Sequence, residues 1–244
     1  MKFSYLKYPW GSAWCGMMLF SGAKNILLDS AVPEAFAFLD SELARLGLEI
    51  RDLDIVANTH SHADHTGMNR LIADAAKAEI ISFKDNLQDN SIIDAGDYAL
   101  QVFHTPGHTS DCISFLELSE KVLFTGDAFE GRGSRYAGVA LYDDPEALLR
   151  SIEKIRRLFL DGQVKTMYLG HAYHGTRGVL QTNEILPFLD LCRNTVISYD
   201  SFLNALPSGI SIEEAAEQLR RRFAVDGQLI SKKAAEITVK AHRN

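Results

Sequence analysis

The stretch THSHADHTG, residues 59–67, packs three histidines and an aspartate into six positions. It follows an apolar run, Leu53-Asp54-Ile55-Val56-Ala57, that reads as a buried strand. No other feature constrains the fold as tightly, because clustered imidazoles repel when protonated and lose hydration when buried unless something compensates them. In an extended H-x-H segment His60 and His62 point to one side, and Asp64 and His65 follow on a turn. Imidazole nitrogen and carboxylate oxygen suit zinc, iron or manganese. The same residue types recur at three later strand ends: His108 in HTPGHTSDCISF, Asp127 in LFTGDAF and His171 in MYLGHAYHG.

The strands that carry these residues come in two runs. Residues 1–30 alternate short apolar runs with turns and read as antiparallel strands, in which Trp10, Trp14, Met17, Met18 and Phe20 are candidates for a pocket wall, with core the commoner role of such residues in early strands. Phe36, Leu39, Leu43 and Leu46 then recur at helical spacing, with Pro33 suited to the helix start and Gly47 to its end. The pattern predicts a helix over 68–78 and a strand over 79–83. YALQVFHT, CISFLEL and KVLFTGD follow as three strands, Asp144-Pro145 opens an amphipathic helix, and residues 164–169 form another strand. Two strand runs, each closing with helices, predict an α/β chain built as an αββα sandwich over residues 1–180. Residues 181–244 are expected to be a helical C-terminal subdomain, with helices over 185–203, from a Ser211/Glu214 capping box, and over 232–241.

Composition excludes some partners. The formal net charge of -7, with no basic run beyond Arg220-Arg221-Arg222, argues against nucleic acid. No segment approaches the roughly 20 apolar residues that span a bilayer, so no membrane role is expected. The N-terminal residues lack the pattern of a signal peptide, and Cys15, Cys112 and Cys192 are scattered without C-x-x-C spacing. These features predict a cytoplasmic protein with reduced thiols, each expected to be a small core residue and not a nucleophile.

H-x-H-x-D-H, the TPGHT turn, the GD turn and the final GH occur in order between about Asp29 and Gly175. In this the chain resembles the metallo-β-lactamase-fold superfamily. The resemblance implies that His60, His62 and His108 bind one metal, that Asp64, His65 and His171 bind a second, and that Asp127 bridges them. It also implies that Asp29, at the end of an early strand, orients the histidine loop from behind. Two divalent ions are expected, zinc first, with iron or manganese as alternatives. Such a pair shares a water, lowers its pKa towards neutrality and polarises a carbonyl or phosphoryl oxygen, the shared hydroxide being the nucleophile. Asp64 is a candidate catalytic residue, as ligand, base or both.

Within the superfamily the motifs look most like the glyoxalase-II and lactonase group, which hydrolyse thioesters, lactones or esters. ANTHSHADHTG, HTPGHTSDCISF and LFTGDAFEGRGSRY also resemble the persulfide dioxygenases, which implies a single iron held by His60, His108 and Asp127. A third reading is a metal-binding interaction protein without catalysis. The expected partner in the first two readings is a small-molecule substrate. Arg135 and Tyr136, in the glycine-rich loop after the GD turn, and His174 are candidates to touch it. The C-terminal helices are candidates to cap the cleft or to form a homodimer through Phe188, Tyr199 and Phe202, and His242 in the last helix is expected to be solvated.

Overall fold

The computed structural model describes residues 1–11, 13–85, 87–133, 138–173, 176–224 and 231–243. Strands β1 (Lys2–Trp10) and β2 (Ala13–Ser21) form a hairpin in which Lys2 faces Ser21 and Trp10 faces Ala13. β3 (Ile26–Leu28), β4 (Ile55–Ala57) and β5 (Glu79–Ile81) extend it into a five-stranded sheet of order β1-β2-β3-β4-β5. β3, β4 and β5 run parallel, which requires crossovers. The first is helix α1 (Phe36–Arg45), preceded by a 3-10 turn at Pro33–Ala35. The second contains the short helix α2 (Ala63–Thr66) and α3 (Asn69–Ala76).

The predicted α1 face needs one correction. Leu39 and Leu43 are buried as the spacing requires, but Leu46 lies past the helix and is 37% exposed. Leu48 N donates to Leu43 O and Gly47 N to Ala44 O, the paired bonds of a Schellman stop, with Gly47 at φ +79°. The stop turns the chain before Leu46 can return to the core face.

The second sheet has the order β11-β10-β9-β8-β7-β6. Its strands are β6 (Ile92–Asp94), β7 (Ala99–His104), β8 (Ile113–Glu117), β9 (Val122–Phe124), β10 (Thr166–Tyr168) and β11 (Val179–Leu180). Only β9 and β10 pair in parallel, joined through helix α4 (Pro145–Leu160), whose N-cap Asp144 accepts from Ala147 N. The sheets pack face to face. Met18, Phe20, Ile26, Leu28, Ile55 and Ala57 from the first meet Leu100, Val102, Ile113, Phe115, Val122 and Phe124 from the second. Alternate residues of the same strands turn outward: Met17, Leu19, Leu27 and Val56 pack on α1 and α3, and Phe103, Leu116, Leu123 and Met167 on the helices of the other flank. Burial on both faces explains the unbroken apolar runs of β2 and β9. The α/β/β/α layering is the predicted one.

Three helices follow β11: α5 (Thr182–Asn204), α6 (Ile212–Phe223) and α7 (Lys232–Ala241). α5 starts three residues earlier than its periodicity suggests, because Gln181 and Glu184 form a reciprocal capping box. Ser211 caps α6, its side chain accepting from Glu214 N. Leu189, Val196, Leu219 and Val239 from these helices join α4 and the second sheet in one apolar cluster. Phe188 and Tyr199, candidates for a docking face, are therefore part of the chain's own core, at 5% and 1% exposure. His242 is also corrected: its side chain is nearly buried, bonded to the Tyr142 hydroxyl at 2.9 Å and facing Asp200. Among the described residues, no helix is long and apolar enough to cross a membrane.

Candidate metal centre

The motif residues gather at one edge of the sandwich, just beyond the carboxyl ends of β3, β4, β9 and β10 and after β7. Cross-links close this edge. Ile113 N donates to Thr59 O, Gly170 N to Gly126 O and Gly16 N to Gly170 O, at 2.7–2.8 Å.

Asp29 is the anchor of the histidine loop. Its backbone takes φ +60°, a left-handed conformation that aspartate tolerates better than most residues, and its side chain is fully buried. One carboxylate accepts from Thr59 N at 2.7 Å, from the Thr59 hydroxyl at 2.8 Å and from His65 Nδ1 at 2.7 Å. Asn58 Nδ2 and Ser30 N both donate to His65 O. The loop is thus fixed at both ends.

These bonds also fix which ring nitrogens carry protons. The Thr59 hydroxyl donates to Asp29, so at His60 it accepts from Nδ1, 3.0 Å away, and the His60 Nε2 lone pair is left without a hydrogen-bond partner although it is buried. His65 Nδ1 gives its proton to Asp29, and His171 Nδ1 gives its proton to Trp14 O at 2.7 Å. His108 Nδ1 lies 2.9 Å from both Leu141 O and Glu130 Oε1. The opposite nitrogens then face one another: His65 Nε2 and His171 Nε2 are 3.3 Å apart, and His108 Nε2 is 3.0 Å from His62 Nδ1. At His65 and His171, whose Nδ1 protons are both engaged, the converging Nε2 lone pairs suit a cation between them.

The atoms fall into overlapping groups. The ligand atoms of His60, His62 and His108 all lie within 4.8 Å of one another, as do those of His60, His65 and Asp127, and those of Cys15, Asp64 and His171. Asp64 Oδ2 is 3.1 Å from His171 Nε2 and 3.9 Å from His65 Nε2. Asp127 lies centrally: its Oδ2 is 3.3 Å from His65 Nε2, 3.3 Å from His171 Nε2 and 3.9 Å from His108 Nε2. Its Oδ1 is buried with no hydrogen-bond partner among the described residues. All seven expected ligand residues and Asp29 therefore meet in one place. Arg135, Tyr136 and His174 lie outside the described residues.

Charge follows the same division. Burial, then the positive tendency of His65, holds His60 well below the usual imidazole range, and burial with His108 lowers His62. Burial opposes protonation of His65 and His171 too, but Asp127 and the other carboxylates outweigh it and raise both. Asp127 itself is held well below the carboxylate range, burial being overcome by His171 and His65. His60 and His62 are thus kept neutral, whereas the carboxylates draw positive charge to His65, His171 and His108.

Two glycines make the approach possible. A Cβ on Gly170 would lie 2.2 Å from Asp127 Oδ1 and 2.9 Å from His65 Cε1. One on Gly126, already at φ +52°, would lie 2.2 Å from Thr59 Oγ1.

Glu130 joins the site without any motif to announce it. It is 8% exposed, and its carboxylate accepts from His108 Nδ1 and, at 3.0 Å, from Leu141 N. Burial pushes the Glu130 pKa up; burial pulls that of His108 down, but Glu130 and then Asp127 reverse this and raise it to about 9. A carboxylate behind a ligating histidine fixes its ring and strengthens its donor atom, and its loss costs ~10–100-fold in metal affinity. Glu130→Gln is expected to weaken binding at the His60/His62/His108 group by about that factor. Competition against a chromophoric chelator would measure it, with an unchanged circular dichroism spectrum as control. Trp10 departs from the core position its strand suggests: it is 36% exposed and stacks on His171 with centroids 6.2 Å apart, forming a wall at the mouth.

The edge-of-sandwich position, the order of the ligand residues and the layering define one class: the chain belongs to the metallo-beta-lactamase superfamily, whose family profile matches residues 8–89 and 84–171. It is 30% identical to a probable metallo-hydrolase of Methanocaldococcus jannaschii, over 65% of this chain and 88% of that protein. It is 31% identical to a hydroxyacylglutathione hydrolase of Francisella tularensis subsp. novicida, over 64% of this chain; it spans only 62% of that relative's length. Among solved structures, a metallo-beta-lactamase family protein of Thermus thermophilus superposes with a TM-score of 0.76 at 19% identity, covering 99% of this chain and 93% of that one. ETHE1 from Myxococcus xanthus superposes with a TM-score of 0.65 at 26% identity, covering 93% and 100%.

Proposed function

We propose that the chain is a dinuclear metal-dependent hydrolase of a small ester, thioester or lactone. The observation that carries this reading is the central place of Asp127, whose Oδ2 stands 3.3 Å from two imidazoles of one group and 3.9 Å from an imidazole of the other. A carboxylate serving both groups would sit where Asp127 sits, between His108 on one side and His65 and His171 on the other. His60, His62 and His108 would hold one cation, Asp64, His65 and His171 the other, with Asp127 shared. Zinc suits this nitrogen and oxygen set, and iron or manganese could also be held.

When bound, the cations supply an activated water near neutral pH and a Lewis acid for the acyl oxygen. The chain's own residues do the rest. Asp29 and Glu130 hold His65 and His108 in the tautomers that turn Nε2 inward. Asp64, with a side chain 21% exposed, reaches furthest towards solvent among the carboxylates of the site and would take the proton released on attack and return it to the leaving group. Trp10, beside His171, offers an apolar surface to the acyl portion of the substrate. The relative named hydroxyacylglutathione hydrolase acts, by that name, on an acyl conjugate of glutathione, which supports a thioester as the first substrate to try.

The test is metal analysis of protein purified without chelator, joined to a panel of thioesters, lactones and esters assayed before and after metal removal. About two zinc-class ions per chain, and hydrolysis that is lost with the metal and restored by it, is the expected outcome. A second reading, a mononuclear iron oxygenase using His60, His108 and Asp127, has in its favour the full-length superposition on ETHE1 from Myxococcus xanthus. One iron per chain with oxygen uptake on a persulfide would replace the hydrolase reading with it. Absence of any metal would leave an interaction protein.

A further inference from the structure

Cys15 fits the expectation of a core filler in that it is fully buried, at the start of β2. Its sulfur, however, groups with the Asp64 carboxylate and the His171 imidazole, all three donor atoms lying within 4.8 Å of one another. The neighbours of Cys15 on both sides are bonded to His171 and the residue before it: Trp14 O accepts from His171 Nδ1, and Gly16 N donates to Gly170 O, each at 2.7 Å. β2 cannot shift without taking His171 with it. A second, independent sign of a missing partner lies next to it. Asp127, only 5% exposed and 3.3 Å from His171 through Oδ2, leaves Oδ1 buried with no hydrogen-bond partner among the described residues.

We propose that Cys15 supplies a sulfur ligand to the cation held at Asp64 and His171. This rests on the reading of a second cation there. On binding, the S–H bond is replaced by a sulfur–metal bond and the proton leaves to solvent. The second position then differs in kind from the first: it offers nitrogen, oxygen and sulfur, where the first offers imidazole and the shared carboxylate. Thiolate selects zinc- and iron-class ions and disfavours manganese, magnesium and calcium, which prefer oxygen. The two positions should accordingly discriminate between metals differently, with the sulfur side the more exacting.

Cobalt(II) alone is the probe, because thiolate ligation gives it an intense near-ultraviolet charge-transfer band that nitrogen and oxygen ligands do not. Metal-free protein titrated with cobalt should develop the band with one of two equivalents. Cys112→Ser and Cys192→Ser should keep it, and Cys15→Ser and Cys15→Ala should lose it while still binding the other equivalent. Two bound cobalt ions in the unaltered protein without the band would overturn the sulfur ligand and leave the dinuclear centre standing, as would a band that survives in Cys15→Ser. One bound cobalt without the band, or none, would overturn the second cation and the sulfur ligand together. The spectrum of the unaltered protein decides the matter even if the variants fold poorly.

Discussion

Asp127→Ala protein is expected to lose turnover and cation pairing together. The carboxylate is the group common to both halves of the site, within 3.3 Å of His65 and His171 and 3.9 Å of His108. Two divalent ions held roughly 3.5–4 Å apart repel strongly, and a shared anion between them is what makes the pair tolerable. Without it the variant should retain at most one ion, and kcat/KM should fall by about 1,000-fold or more, which corresponds to ~4 kcal/mol of lost transition-state stabilisation at ~1.36 kcal/mol per decade. Metal analysis, single-substrate kinetics and a melting curve on the same preparation are the measurements. Asparagine at this position keeps the shape without the charge and should fail nearly as badly. Full activity in Asp127→Ala would remove the mechanism.

His65→Ala should produce the largest effect on stability and should also choose between the two enzyme readings. The imidazole is completely buried and donates to the equally buried Asp29 at 2.7 Å. Removing one partner of such a pair typically costs ~3–5 kcal/mol, because the other charge stays behind in the core. Asp29 keeps its bonds to Thr59 N and Oγ1, so the lower end of that range is expected. The variant should melt several degrees lower and carry one cation in place of two, the His60/His62/His108 group being intact. A variant that keeps a single iron and full oxygen uptake would instead show that His65 never held a metal.

The candidate ligand residues can be read from the sequence because their chemistry is in their identity: few reasons other than a cation bring seven histidines and aspartates to four strand ends. Asp29 is legible through the family pattern, and its three hydrogen bonds give that pattern its cause. What stays hidden depends on folding at long range. Glu130 looks like any loop glutamate until the chain returns through Leu141 and brings it to His108. Cys15 looks like part of an apolar strand until Gly16 pairs with Gly170, which follows a strand of the other sheet. The same blindness accounts for the error at Phe188 and Tyr199, since helical periodicity marks an apolar face without telling whether the chain itself or a second copy covers it.

The strap at residues 139–142 carries a consequence for the rest of the molecule. On one side Leu141 bonds to both Glu130 and His108; on the other, Ala140 N donates to the Tyr199 hydroxyl, Ala140 O accepts from Thr238, and the Tyr142 hydroxyl meets His242. α5 and α7 therefore grip the segment that sets the His108 imidazole, and a handful of hydrogen bonds joins the last turn of the described chain to that ring. Substitutions at Tyr199 or Thr238 are therefore expected to loosen the His108 ring and lower metal affinity there, read by the same chelator competition as Glu130→Gln.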